Sequence, residues 1–322
     1  MTGFILHRYS LAVLLGLVAP LALAADAQTL FARMHQAGIG LDYEGTFVYQ
    51  HGDRLESLRI VHKTGTGGVR ERLVSLNGAP REIVRTDSEV RCYLPDENAT
   101  LIEHRRADNR NFPALLPDSL ALLKDIYQIR AGKEGRVAGR KAISVHIKPR
   151  DAYRYGYQLW VDEASGLLLK ATLLDELGGV VEQYMFTQVS IGKAIAESEL
   201  KPQYPSKGIA WKYADDKSPT PSTRRWAAAR LPPGFTLSAH MLRKTPASKQ
   251  LVEHLVYSDG LTVVSVFVEN IDDNARPNVL SGLTHMGAVH AFGKIVDGYQ
   301  VTVVGEAPAI TVDMIGESVG PQ

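Results

Sequence analysis

The residues of this 322-residue chain that are spaced for chemistry are few. Ser190-Ile191-Gly192-Lys193 matches, letter for letter, a serine–lysine pair in which the amine activates the hydroxyl. That pair works at the start of a helix and with partner motifs; here it closes a strand-like run, and the partners are missing. No Gly-x-Ser-x-Gly elbow occurs, and none of the ten histidines sits in an HExxH arrangement. His285 and His290, read as members of one strand, point to opposite faces. Gly65-Thr66-Gly67-Gly68 lacks the final glycine and lysine of a phosphate loop and reads as a hairpin loop. Asp215-Asp216 and Asp272-Asp273 lack the glycine and terminal glutamate of a calcium loop. Asn98-Ala99-Thr100 is a glycosylation sequon only in a eukaryotic cell. Cys92 is the only cysteine, so no internal disulfide or cysteine metal cluster forms, and it reads as a small buried apolar residue. The expectation is a protein with no catalytic residue, no metal and no cofactor, working by binding.

The elements that position these residues are mostly strands. Leu30, Phe31 and Met34 fall at helical spacing behind an Asp26 cap. From Tyr43 the period becomes two. Strands are predicted at 46–49, 55–61, 70–76, 81–84, 89–94 and 100–103, with Asn77-Gly78 as a hairpin turn. Pro113, Pro117 and the run 120–123 predict a loop with a helical turn or two. Strands resume at 142–147, 155–161, 167–174 and 180–189, joined by Ser165-Gly166 and Gly178-Gly179. Residues 201–230 carry Pro202, Pro205, Pro219 and Pro221 and show no period, as a linker does. A second block follows, with strands at 235–243, 250–257, 261–269, 285–292 and 300–304, then a helix at 309–318 behind Pro308.

Arg8 and the apolar run 11–23, ending Ala22-Leu23-Ala24, read as a secretory signal peptide cleaved after Ala24 or Ala25. The run is shorter than the roughly 18 residues a membrane-spanning helix needs. The expected organisation is a signal peptide at 1–24, a large domain at 25–205, a linker at 206–229 and a smaller domain at 230–322. A formal net charge of +1 without a basic tract argues against nucleic acid as a partner.

Two features point to binding. Several strands are apolar on both faces: Leu159 and Trp160 point opposite ways, as do Met185 and Phe186. A packed core and an enclosed apolar cavity both fit that pattern. The linker carries Trp211, Tyr213, Arg224, Arg225 and Trp226. Aromatic and arginine side chains are enriched at protein interfaces, though docking onto the chain's own domains fits as well.

In order along the chain come Gly45-Thr46-Phe47-Val48-Tyr49, Arg70-Glu71-Arg72-Leu73, Leu76-Asn77-Gly78 and Tyr155-Gly156-Tyr157-Gln158-Leu159-Trp160. They are followed by Ser165-Gly166-Leu167-Leu168-Leu169-Lys170, Leu231-Pro232-Pro233-Gly234-Phe235, Val256-Tyr257-Ser258-Asp259-Gly260-Leu261, Ser265-Val266-Phe267-Val268-Glu269 and Gln300-Val301-Thr302-Val303-Val304-Gly305-Glu306. This ordered set resembles the RseB/MucB family of periplasmic regulators of the envelope-stress sigma factor. The resemblance implies an α+β fold: a LolA-like antiparallel half-barrel over helices, plus a smaller C-terminal α+β sheet domain. It implies a periplasmic protein that binds the periplasmic domain of a membrane-spanning anti-sigma factor of the RseA or MucA type and shields it from regulated proteolysis. Lipopolysaccharide or another acylated lipid is then expected to release that partner, and a homo-oligomer is expected. The rival reading is a lipid or lipoprotein carrier with no regulatory partner; the second domain tells against it. On side-chain chemistry, Phe47, Tyr49, Trp160, Met185 and Phe186 are expected to line the lipid cavity. Trp211, Tyr213, Arg225, Trp226, Arg243 and Tyr257 are expected to face the protein partner.

Overall fold

A computed structural model describes residues 19–104, 123–204, 209–212, 224–245, 248–271 and 279–322. The chain enters through α1 (Ala19–Gly40). Ala27, Leu30, Phe31, Met34 and Ala37 of this helix are buried, a stripe at three- and four-residue spacing. The helix already runs at Ala19, upstream of the expected Asp26 cap, because the alanine-rich stretch before it has high helix propensity.

Eleven antiparallel strands follow: β1 (Tyr43–His51), β2 (Arg54–Lys63), β3 (Arg70–Ser75), β4 (Glu82–Arg85), β5 (Glu89–Leu94), β6 (Ala99–His104), β7 (Tyr127–Val137), β8 (Arg140–Pro149), β9 (Gly156–Asp162), β10 (Leu168–Leu174) and β11 (Val180–Ile191). With β12 (Ile209–Lys212) they form one sheet in the order β12-β6-β5-β4-β3-β2-β1-β11-β10-β9-β8-β7. The sheet curls enough for β7, at one edge, to touch β11 and α1. The inward face carries Phe47, Tyr184, Phe186, Leu159 and Val145, all buried, and closes on the α1 stripe to make the larger core.

Strand β7 was not legible in the sequence. Gly132 and Gly135 break its alternation, and its register against β8 shifts between Ala131 and Glu134. Gly135 is there for a reason: a Cβ at that position would collide with the Trp160 ring. The loop and helical turn expected from Pro113 to Leu122 lie outside the described residues. At the Asn77-Gly78 turn only the glycine takes positive φ, 72°. Asn77 instead ties the turn to β2, accepting from the Ser57 N–H and donating to the Leu55 carbonyl.

Both ends of the expected linker are built into sheets. β12 adds in parallel to the free edge of β6, with Trp211 opposite Leu101. β13 (Trp226–Ala228) pairs with the last strand of the chain, β20 (Val319–Pro321). Between them lie β14 (Thr236–Thr245), β15 (Ser248–Ser258), β16 (Val263–Asn270), β17 (Gly282–Met286), β18 (Val289–Val296), β19 (Tyr299–Glu306) and α2 (Ala309–Ser318). Strands β14 to β19 form a six-stranded sheet in the order β14-β15-β16-β19-β18-β17. Val312 and Ile315 of α2 pack into its core with Val264, Val266, Val301 and Val303. The expected single strand around His285 and His290 is instead a hairpin, β17 and β18, turning at Gly287 with φ 59°. The two histidines face each other across it, paired in register with ring centroids 5.6 Å apart. The α+β class is therefore as expected, with the second domain gaining strands at both of its ends.

Candidate functional site

The loop from Arg150 to Tyr155, which joins β8 to β9, carries the densest polar contacts between the two domains. Arg154 is 1% exposed. Its Nη1 donates to Asp259 Oδ2 at 2.7 Å. Its Nε and Nη2 donate to the two oxygens of Asp151 at 2.9 and 3.0 Å. Nη2 also donates to the Pro233 carbonyl at 2.6 Å. The guanidinium lies 5.5 Å from the ring centre of Tyr127 and 5.4 Å from that of Phe235, one ring from each domain. Two carboxylates and two aromatic faces thus offset its desolvation.

Asp259 sits in the turn between β15 and β16 and does two jobs. Its Oδ1 accepts the N–H groups of Leu261 and Thr262, which sets the turn. Its Oδ2 takes Arg154 and the Tyr127 hydroxyl, the latter at 3.2 Å. Burial, then the Asp259 charge, push the Tyr127 hydroxyl well above its ordinary range, so it stays a donor. The same loop meets the second domain twice more. Thr311 of α2 donates to the Tyr153 carbonyl at 2.6 Å, and the Tyr155 hydroxyl reaches the Ala288 carbonyl at 3.5 Å.

On its other side the loop walls a cleft of about 670 Å³, set where one end of β7, β8, β9 and β10 meets the turn after β10. Pro149, Tyr157, Leu174 and Leu177 make its apolar side, and Arg130, Lys148 and Arg150 its cationic side. Leu177 is 91% exposed.

A second seam joins β11 to the end of β19. Tyr49 donates to Glu182 Oε1 at 2.5 Å. Burial, then the neighbouring Glu182 carboxylate, raise the Glu306 carboxyl to about 7. A carboxyl with a raised folded pKa holds a proton that it releases on unfolding. Its contribution is therefore present at low pH and is lost as pH rises from the usual carboxylate range towards 7. The residue keeps solvent contact, so the effect is modest. The expected result is an unfolding midpoint that falls between pH 5 and pH 8 by less in Glu306→Gln than in the parent chain. An identical fall in both would show that Glu306 does not sense its neighbour.

The five residues expected to line a lipid cavity do not share one. Register pairs Phe47 with Phe186 and Tyr49 with Tyr184 on one face of the sheet. Met185 and Trp160 both pair with Lys170, on the opposite face. Phe47 and Phe186, 2% and 1% exposed, are edge-to-face neighbours in the core with ring centres 5.7 Å apart. None of the five lines the cleft. Alternation already separated Phe186 from Met185, and the error lay in grouping residues by type across both faces.

The partner-facing set also divides. Trp226 and Tyr257 are 4% and 2% exposed: the indole packs on Tyr299, and the Tyr257 hydroxyl accepts the Ala228 N–H at 2.9 Å. Both are core residues of the second domain and present no ring to a partner. Arg225 stays 63% exposed beside Glu253 and remains available. Trp211 and Arg243 lie on strands β12 and β14; Tyr213 lies outside the described residues. Sequence reading missed Asp151, Arg154 and Asp259. Ser258-Asp259-Gly260 signalled a turn, but nothing local marks an aspartate as the partner of an arginine about a hundred residues upstream.

Among the described residues no helix is long and apolar enough to cross a membrane, and no group of acidic, histidine or cysteine side chains is placed to hold a metal ion. Fold and site together define a two-domain α+β protein whose sheets are joined by a buried ionic latch. Residues 26–204 match the model of the MucB/RseB N-terminal domain and residues 220–320 that of the MucB/RseB C-terminal domain, and the chain belongs to this family. It is 35% identical over 317 residues to the sigma factor AlgU regulatory protein MucB of Pseudomonas aeruginosa, covering 97% of each chain. It is 28% identical over 311 residues to the sigma-E factor regulatory protein RseB of Haemophilus influenzae, covering 96% of each. Among solved structures, the MucA/MucB complex of Pseudomonas aeruginosa contains a chain that matches with a TM-score of 0.71 and 32% identity, over 92% of this chain and 99% of that one. Both of these relatives are sigma-factor regulatory proteins.

Proposed function

We propose that this chain is a periplasmic negative regulator of an envelope-stress sigma factor. It binds the periplasmic region of a membrane-spanning anti-sigma factor, shields that region from regulated proteolysis, and releases it when an acylated lipid binds. The observation that carries this reading is full-length similarity to MucB, including the chain solved as a complex with MucA. Retention of both domains supports a regulator over a simple carrier, because the second domain adds a surface that a half-barrel carrier does not need. Ligand action follows from linkage: a lipid that binds the partner-free form better weakens partner binding by the same factor. The test is co-elution of the mature chain with the periplasmic segment of the anti-sigma factor from its own genome. Retention of the segment, and its protection from the site-one protease, are expected. A folded chain that neither retains nor protects it overturns the reading.

A further inference from the structure

The cleft beside the latch has a chemistry of its own. Arg130 and Lys148 are exposed, and among the described residues neither has an ion-pair partner. Arg150 donates to the Lys124 carbonyl and has no ion-pair partner among the described residues. Of the three acids at the rim, Glu176 is exposed at the turn after β10, and the other two are committed. Asp175 accepts the Leu177 and Gly179 N–H groups of its own turn, and Asp151 gives both oxygens to Arg154. Beside these cations runs an apolar wall ending in Leu177, which is 91% exposed and uncovered by any of the described residues. A volume of about 670 Å³ is in the range of small-ligand pockets.

We propose that this cleft binds an anionic acyl amphiphile, head group on Arg130 and Lys148 and chain along Leu174 and Leu177, and that the loop from Arg150 to Tyr155 passes its occupancy to the second domain. The inference rests on the lipid-released reading above and gives it a place. Charge complementarity selects the head, and the adjoining apolar wall selects a chain over a free anion. Coupling follows from the loop's double use. Arg150 and Asp151 wall the cleft, while Tyr153, Arg154 and Tyr155 bond to Thr311, Asp259, Pro233 and Ala288 of the second domain. A head group drawn to Arg150 moves Asp151, and Asp151 holds two of the Arg154 donors.

The test is titration calorimetry of the full mature chain with three probes below micelle-forming concentrations: dodecyl phosphate, inorganic phosphate, and dodecyl maltoside. Dodecyl phosphate is expected to bind at least tenfold more tightly than either other probe. Arg130→Ser combined with Lys148→Ser is expected to weaken it at least tenfold, and Leu177→Asp likewise, with unfolding midpoints unchanged because all three side chains are exposed. On binding, amide exchange is expected to rise at 259–262 and around 311. If dodecyl phosphate binds but the variants bind equally well, the site is wrong while lipid release stands. If neither dodecyl probe binds, lipid release fails with it. Equal binding of inorganic phosphate overturns the amphiphile in favour of an anion site, and displacement of dodecyl phosphate by an acidic peptide without a chain makes the occupant a peptide. Unchanged exchange at 259–262 overturns the coupling.

Discussion

Arg154→Met lowers folding stability by about 3–5 kcal/mol, the cost of leaving a buried charge without its partner. The carboxylate left behind is Asp259, whose side chain is wholly buried, while Asp151 keeps some solvent contact. Denaturant unfolding followed by far-UV circular dichroism measures the loss. Arg154→Lys is expected to recover only part of it, since a point charge cannot reach Asp259, Asp151 and the Pro233 carbonyl together. Arg154→Met combined with Asp259→Leu separates the stranded charge from the lost bonds, and recovers most of the stability if the stranded charge dominates. A loss under about 1 kcal/mol in the single variant would mean that water reaches Asp259 and that the joint is not closed.

Phe186→Ala is expected to cost about 3–5 kcal/mol, the usual penalty for emptying an aromatic site in a core. The ring is 1% exposed and packs edge-on against Tyr43 and Phe47, with centres 6.3 and 5.7 Å away. Gly45 lies directly beneath it, and a Cβ there would meet the ring and the Gln188 carbonyl. Neighbours so constrained relax little into the space left behind. The measurement also separates two pictures of the large domain. If Phe186 lined a ligand cavity, its removal would leave stability nearly untouched and would change lipid affinity instead.

Periodicity made most of the fold readable. The alternation in β1 and β11 survives because their buried residues, Tyr43 and Phe47, Tyr184 and Phe186, lie on one face, whereas β10 is buried on both and reads as an apolar run. Strand β7 was hidden by two glycines whose purpose, room for the Trp160 ring at Gly135 and for Ser144 and His146 at Gly132, exists only in three dimensions. Trp226 was misread because an aromatic flanked by prolines and arginines looks like a surface anchor, whereas its strand pairs with β20 at the far end of the chain. The site was less legible than the fold. Arg154 and Asp259 look like ordinary surface residues of a loop and a turn, and only domain packing buries them together. The cations of the cleft alternate along β7 and β8 as on any solvated strand face; the apolar end of β10 beside them is what makes a site.

The pairing of β13 with β20 has a temporal consequence. The first strand of the second domain can find its partner only when residues 319–321 have been made. Until then the Trp226 indole has no cover on that side, since Val319 belongs to the same core cluster. Contacts so distant in sequence form late and slowly. The large domain, whose β1–β11 pairing closes by residue 191, can be complete while the second is still open. A newly made chain therefore passes through a stage in which the large domain is folded and the second is still open to proteolysis. A bulky or charged fusion directly after Gln322 would prolong that stage, whereas one ahead of the large domain would not.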